Sequence, residues 1–384
     1  MIQSRNLNTL AHKGLKEPAY GFRVLRKRFE SYVNYLFSKS AAALPESITL
    51  FLTHRCNLTC KMCGQWGEGG ITRKKSAREV REELSLKELK SVIDDIGSFR
   101  PNITLFGGEP LLHSGCLDLI RYVKAKFMHC IMITNGFLLD ELAGALVDSR
   151  IDALNVSLDG GKNVHDEIRG HPGLFEKVTK GLKQVRQMKK RRALKKPLVN
   201  LQCTITKYNL RYLEQLIDAA EEVGADSLTF HNLIFVNNHL LHEQKRFDSV
   251  LDCASMDWEG FNFKPEIQPK ILYEEMKKIL SRRYVFNVSF FPDLSLKGLR
   301  EYYADPSNTL SEYKGRCISP WMAAYVLPQG DVRPCLNSNY SYGNIKKDRF
   351  RDLWNGDKAR KFRGLLKENR MFPACARCTE LFRY

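Results

Sequence analysis

No apolar run in these 384 residues approaches the roughly 18–20 that a membrane-spanning helix needs. The first residues also lack the apolar core of a secretory leader. A reducing, cytoplasmic setting is therefore expected, where eleven cysteines serve metals rather than disulfides. No RNA-recognition or helix-turn-helix signature is present, so nucleic acid is not the expected partner. Acidic residues are scarce: 43 Asp and Glu face 61 Lys and Arg, a formal net charge of +18. That excess suits a phosphorylated or otherwise anionic small substrate, or an anionic surface, and does not choose between them. The basic runs Lys189-Lys190-Arg191-Arg192 and Lys195-Lys196 follow an expected helix and read most simply as a solvated loop. Apolar and charged shares of 43% and 27% are those of an ordinary globular chain, and the length allows two domains.

What is present centres on His54-Arg55-Cys56-Asn57-Leu58-Thr59-Cys60-Lys61-Met62-Cys63. Three cysteines at the spacing C-x3-C-x2-C follow Ile48-Thr49-Leu50-Phe51-Leu52-Thr53, a β-branched apolar run that reads as a buried strand. Thiolates so close together in a loop argue for a metal. A structural zinc ion wants four protein ligands, and a zinc knuckle is the bland alternative. A cubane iron–sulfur cluster wants one thiolate per iron, so three cysteines leave one iron open to a small molecule.

From residue 46 to about 240, strand-like and helix-like segments alternate. Strands are expected near 48–53, 103–106, 130–134, 152–157, 199–205 and 227–231, with helices at Ser85–Ile96, Leu117–Lys126, Phe175–Lys189 and Leu210–Val223 between them. Six β/α units imply a parallel sheet with right-handed crossovers, two units short of a closed (β/α)8 barrel. Functional residues should then follow the strands. Strand 2 leads into Phe106-Gly107-Gly108-Glu109-Pro110 and strand 3 into Thr134-Asn135-Gly136. Strand 4 leads into Ser157-Leu158-Asp159-Gly160, with Arg169-Gly170 a short helix later. Each of these alone is a common turn or cap; four in order, each ending a strand, form a pattern.

Upstream, Tyr20 to Phe37 sets Phe22, Leu25, Phe29, Tyr32, Val33 and Leu36 at helical spacing, with arginines elsewhere round the helix. Such a helix can lie in a membrane interface, but the favoured reading is that its apolar face closes an edge of the domain behind it. Residues 241–312 are least readable: a charged helix near Lys270–Arg283, then a strand Val285–Phe291 ending at Pro292-Asp293. The last seventy residues carry Cys317, Cys335, Cys375 and Cys378, with a hairpin turn at Gln329-Gly330-Asp331. Four such cysteines also admit a zinc site.

The three-cysteine loop, the Gly-Gly-Glu stretch and the strand-4 motifs together resemble the radical S-adenosylmethionine (SAM) enzymes, with Met62 where that family usually has an aromatic residue. The resemblance implies a partial (β/α)6 TIM-like barrel spanning 46–240, after a basic amphipathic segment 1–45. It makes 241–312 a linker bordering the substrate cavity and 313–384 a small SPASM/Twitch iron–sulfur domain. It assigns Cys56, Cys60 and Cys63 to a SAM-binding [4Fe-4S] cluster, and Gly107, Gly108, Glu109, Asn135, Ser157, Asp159 and Arg169 to SAM. A full SPASM domain carries more cysteines and two clusters. Four here imply one auxiliary [4Fe-4S] cluster, held by Cys317, Cys335, Cys375 and Cys378.

The implied reaction is reductive cleavage of SAM to a 5′-deoxyadenosyl radical and removal of a substrate hydrogen. Net oxidation or bond formation on a small, phosphorylated or sugar-derived substrate follows, with the auxiliary cluster carrying an electron. Asp293 is a candidate base. Cys203, in strand 5, is a candidate hydrogen donor if it points into the barrel, which would make the enzyme an epimerase. Cys116, Cys130 and Cys253 read as core residues. Many SPASM enzymes modify peptides and carry a winged-helix peptide-binding domain. Only 55 residues precede Cys56, which lowers that alternative. A non-catalytic iron–sulfur or zinc protein binding RNA is the alternative of another class. The implied partners are a flavodoxin-type or ferredoxin-type reductant and, through the N-terminal helix, peripheral membrane contact.

Overall fold

The computed structural model describes residues 18–308, 310–313 and 315–384. The first part of the expected N-terminal segment, residues 1–17, lies outside them. The chain opens with α1 (Pro18–Phe37), β1 (Ser47–Phe51), α2 (Ala77–Arg81) and α3 (Leu86–Ile96). It continues through β2 (Asn102–Phe106), α4 (Cys116–Ala125), β3 (Cys130–Thr134), α5 (Leu139–Asp148) and β4 (Ala153–Ser157). Then come α6 (Lys162–Arg169), α7 (Leu174–Arg191), β5 (Leu198–Thr204), α8 (Gln215–Val223) and β6 (Ser227–His231). The linker folds as α9 (Asn238–Leu251), α10 (Pro269–Leu280), β7 (Asn287–Phe291) and α11 (Leu296–Ala304). Strands β8 (Ala323–Val326), β9 (Asp331–Arg333) and β10 (Gly343–Asn344) and helices α12 (Phe350–Asn355) and α13 (Asp357–Asn369) complete it. No described helix is long and apolar enough to cross a membrane.

All strands join one sheet in the order β10-β9-β8-β1-β2-β3-β4-β5-β6-β7. The six expected strands pair in parallel, as crossover helices require. The partial barrel is wider than expected. Asn287–Phe291 pairs in register with Ser227–His231, so the linker supplies a seventh parallel strand. At the other edge β8 pairs in parallel with β1, and the C-terminal hairpin β8–β9 thereby continues the barrel sheet. Helix α8 starts at Gln215, five residues later than expected, because Thr206 to Leu213 forms hydrogen-bonded turns around the buried Asn209 side chain.

Alternation along the strands sorts side chains into two layers. Ile48, Leu50, Ile103, Leu105, Cys130, Met132, Leu154, Val156, Leu201, Cys203 and Phe230 face the helices in the main core. The other face lines the barrel interior and stays half-buried along β4–β6. This corrects Cys203: it is fully buried in the helix-facing layer, where the Asn209 side-chain amide donates to its sulfur at 3.5 Å. It has no access to the interior and is not placed to return hydrogen to a substrate.

Helix α1 also packs on a face other than the expected one. Val24, Lys27, Ser31 and Tyr35 are buried, while Phe22, Leu25, Phe29 and Leu36 are exposed. Two polar contacts and one aromatic contact explain the choice. Lys27 donates to the Phe99 carbonyl at 2.7 Å, Arg28 pairs with buried Glu46 at 2.8 Å, and Tyr35 packs edge-on against Trp321. Burying the arginine-bearing flank against carbonyls and a carboxylate satisfies groups that the phenylalanine face would have left stranded.

Helices α5 and α7 meet at Gly181, where a Cβ would lie 2.6 Å from the Asp140 amide and from Leu139 Cβ. Elsewhere in a helix, Gly→Ala stabilises by up to about 1 kcal/mol. Here Gly181→Ala is expected to destabilise by about 1–3 kcal/mol, as overpacked cores do. The check is thermal or urea unfolding of the variant; a raised midpoint would mean the helices can part at no cost.

Candidate active site

The loop after β1 is held by a ladder that outlasts the strands. Leu52 donates to the Phe106 carbonyl, Gly108 to Thr53 and Glu109 to Arg55, each at 2.8 Å. The two glycines make this possible. A Cβ on Gly107 would lie 2.7 Å from the Thr53 carbonyl oxygen, and one on Gly108 would collide with the Arg55 carbonyl. The close approach for which they were singled out is thus to the chain's own backbone. Arg55 is anchored in turn, bidentate on Glu83 and donating to the Leu112 carbonyl.

Glu109 is fully buried. Its carboxylate accepts from the Leu111 amide, the Thr134 hydroxyl and the Asn135 amide at 3.2, 2.8 and 2.8 Å, tying the strand-2 loop to the strand-3 loop. Burial outweighs these donors and pushes its pKa up to about 7. Asn135 carries the link onward, its side-chain amide donating to Asn57 at 2.8 Å and pointing at the Cys56 sulfur at 3.9 Å.

Every thiol of the first set has an N–H directed at it. Asn135 serves Cys56, Arg169 approaches Cys60 at 3.6 Å, and the Gln65 and Trp66 amides approach Cys63 at 3.4 Å. Burial first, then the neighbouring thiols and the Glu109 and Asp159 carboxylates, pushes the Cys56 thiol up to about 12 and raises Cys60. These thiols would stay neutral unless a metal drew off the protons. Among the described residues no three His, Cys, Asp or Glu side chains converge as one ion requires. Thiols in mutual electrostatic range that do not converge, each with a donor, fit a multi-iron cluster.

Arg169, largely buried, pairs with the fully buried Asp159 at 2.5 Å, and Asp159 also accepts from the Thr204 amide at 2.8 Å. Burial opposes the guanidinium charge, but Asp159 and Cys60 beside it hold its pKa above the usual value. Asp159 therefore positions Arg169. The arginine's Nη2 makes no hydrogen bond among the described residues and remains available to a ligand. Ser157 stands on the inner face at the end of β4. Asp293 follows β7 at the same end of the barrel, beyond Pro292, whose carbonyl accepts from Asn232.

The second cysteine set comes together from distant sequence. Cys317 precedes β8, Cys335 follows β9, and Cys375 and Cys378 lie on the C-terminal turn. All four are within electrostatic range, Cys378 feeling Cys375, Cys335 and Cys317. Burial pushes Cys335 up to about 12 and Cys375 up to about 11, as it does the core thiol of Cys116, so it is the gathering of four sulfurs and not their titration that makes a donor set here. Between the two turn cysteines, the buried Arg377 guanidinium donates to five carbonyls, among them those of Tyr302, Glu301 and Asp305. That clamp fixes the turn to α11.

The barrel's inner wall, which sequence reasoning did not single out, has two halves. On β4–β7 the row Ser157, Gln202, Thr229, Ser289 is polar and in register, and His231 one row above donates to the Gln202 amide oxygen at 2.5 Å. Burial pushes His231 down to about 4, so it is neutral near pH 7. Toward the site end of β8, β1 and β2 the wall is apolar: Phe51, Tyr325 and Leu327 cluster with Phe106 and reach Cys335, with Thr49 and Thr104 on the same face deeper in the barrel. The period-2 alternation of Asn200-Gln202-Thr204 and Ser227-Thr229-His231 was the available signal.

Residues 50–231 match the family model of the radical SAM superfamily, and residues 317–379 match that of an iron–sulfur cluster-binding domain called SPASM. A relative, the Fe-coproporphyrin III synthase of Methanosarcina barkeri, is 28% identical over 85% of this chain and 79% of its own. The pre-heme d1 synthase of Dinoroseobacter shibae is 25% identical over 86% and 79%. Among solved structures, Streptococcus suis SuiB bound to S-adenosylmethionine superposes with a TM-score of 0.58 at 15% identity. The superposition covers 82% of this chain and 66% of SuiB.

Gly108→Ala is expected to abolish 5′-deoxyadenosine formation by forcing the strand-2 loop off Arg55, measured anaerobically with SAM and dithionite. Arg377→Ala should free the C-terminal turn and lower iron from about eight to about four per chain. It should leave SAM cleavage in place; unchanged iron would show that the clamp does not maintain the second site.

Proposed function

The chain belongs to the radical SAM superfamily with a C-terminal SPASM domain, and on that premise we propose that it oxidises a small amphipathic organic molecule. A carboxylate-bearing tetrapyrrole, the compound class for which its relatives are named, is the first candidate. The observation that carries this reading is the two-sided inner wall, aromatic on β8–β1–β2 and polar on β4–β7. A phosphorylated sugar would use the polar half alone. The likeness to SuiB is one of fold and does not argue for a peptide.

Cys56, Cys60 and Cys63 would hold the SAM-binding [4Fe-4S] cluster, and Cys317, Cys335, Cys375 and Cys378 the auxiliary one. With SAM bound, these groups supply a 5′-deoxyadenosyl radical and an acceptor for the electron left on the substrate. Ser157 and the Nη2 of Arg169 would meet the SAM carboxylate, with Asp159 steering the arginine. Substrate that has given up a hydrogen atom must still lose one electron and one proton to complete a two-electron oxidation. His231 is the residue we assign to the proton. Its Nε2–H is engaged by Gln202 and its neutral ring offers Nδ1 as acceptor; weakly basic because buried, it takes the proton of a substrate that has already lost the electron and become strongly acidic. Asp293, at the same end of the barrel, is the second group able to take it. The aromatic half of the wall excludes water and stray hydrogen donors from the substrate radical. A flavodoxin-type or ferredoxin-type protein would deliver the initiating electron.

The test is anaerobic turnover with SAM, a reductant and candidate porphyrins, reading 5′-deoxyadenosine against a two-hydrogen mass loss. His231→Phe and Gln202→Leu are expected to keep substrate-free SAM cleavage within about twofold. Coupled turnover should fall at least about tenfold in both. Coupled turnover equal to the parent's would remove His231 from the mechanism, and no coupling to any porphyrin would remove the substrate class.

A further inference from the structure

We propose that the end of the barrel opposite the cluster site seats the protein on an anionic lipid surface. Strands β1 to β8 are parallel, so every loop that enters a strand emerges at one end, the base, and every site loop at the other. Helix α1 lies across that base. Its Lys27 reaches the carbonyls of Pro45 and Phe99, Arg28 reaches Glu46, and Tyr20 stacks on His129 at 4.5 Å. Those partners immediately precede β1, β2 and β3.

With its mixed inner face so committed, α1 presents its apolar stripe outward. Phe22, Leu25, Phe29 and Leu36 share one helical face, exposed by 72%, 46%, 70% and 44%. Two loop tips at the same end are apolar as well: Phe127, before β3, is 75% exposed and Val285, before β7, is 98% exposed. A chain that meets only water does not gather large apolar side chains at one end.

The same end is cationic. Arg100, Arg150, Lys195 and Arg283 are exposed on loops that enter β2, β4, β5 and β7, and Lys190 and Arg191 are exposed on the last turn of α7. Several acids reaching this end are already paired, Asp94 with Lys126, Asp148 with Arg192, and Asp152 with both Lys124 and Lys196, while Glu221 in the last turn of α8 is exposed beside them. Aromatic side chains set among lysines and arginines match an anionic bilayer interface, where rings enter the headgroup boundary and cations meet phosphates. A second copy fits poorly, because pairing through this face would bring two cationic rims together. Seated this way, the cluster mouth faces away from the bilayer, open to substrate and reductant.

The experiment is co-sedimentation of the full-length chain with phosphatidylcholine vesicles containing about one-third phosphatidylglycerol, and with pure phosphatidylcholine. The parent is expected to pellet with the anionic vesicles and to bind the neutral ones at least about tenfold more weakly. Phe22→Ser/Phe29→Ser should lose at least about tenfold in binding to the anionic vesicles, with 5′-deoxyadenosine formation unchanged. Lys190→Ser/Arg191→Ser/Lys195→Ser, exposed on the last turn of α7 and the loop after it, should weaken the same binding and its salt dependence. The proposal is overturned if the parent stays in the supernatant, or if both variants pellet like the parent. Light scattering that shows a dimer abolished by the phenylalanine changes, without vesicle binding, would overturn it in favour of self-association. Binding of RNA in place of vesicles would overturn it too.

Discussion

One run of backbone hydrogen bonds holds the site together: the β1–β2 ladder that continues past both strands into Thr53–Arg55 and Gly108–Glu109. It fixes the cysteine loop against the second loop, and the buried Glu109 carboxylate then fixes the third loop through Thr134 and Asn135. Asn135 closes the circuit on Asn57 and Cys56. Three loops that would otherwise move independently become one surface whose N–H groups point at sulfur. Rigid placement of donors around a charged group is what a preorganised site requires.

The molecule is polar in the sense of having two ends. Parallel strands send all the site loops to one end and all the entering loops to the other, so chemistry and docking are separated by the length of a strand. The interior between them is divided lengthwise, one wall aromatic and one wall hydrogen-bonded in register. The aromatic wall ends at Cys335. A substrate lying against it would sit beside the auxiliary cysteines while its polar groups met Gln202 and His231.

The C-terminal segment is part of the barrel in a physical sense. Strand β8 extends the sheet next to β1, and Arg363, buried without a carboxylate partner, donates to carbonyls of Pro320 and Trp354 and stacks over the Trp354 ring. Arg377 does the same for the last turn against α11. Two buried guanidiniums satisfied by carbonyl oxygens thus hold the distant cysteines at the barrel's edge.

Local chemistry in the sequence determined a good deal. Three cysteines after a strand, Gly-Gly-Glu after the next and four more cysteines near the end are spacings that a loop carries wherever it is placed. The capping boxes Ser85/Glu88 and Ser76/Glu79 likewise start their helices from within one turn. Periodicity showed which residues share a face but not which face looks where. Leu201 and Cys203 alternate with Gln202 either way round, and only the helices stacked on one side sent Cys203 into the core and Gln202 into the interior. Helix α1 has one apolar stripe and one mixed face, and it was Lys27, Arg28 and Tyr35 finding Phe99, Glu46 and Trp321 that buried the mixed one. The width of the barrel was likewise settled by pairing, since β7 and β8 are short runs whose place depends on an open sheet edge to receive them. Spacing along a chain is local and survives in the sequence; orientation is a relation between segments far apart and exists only once they have packed.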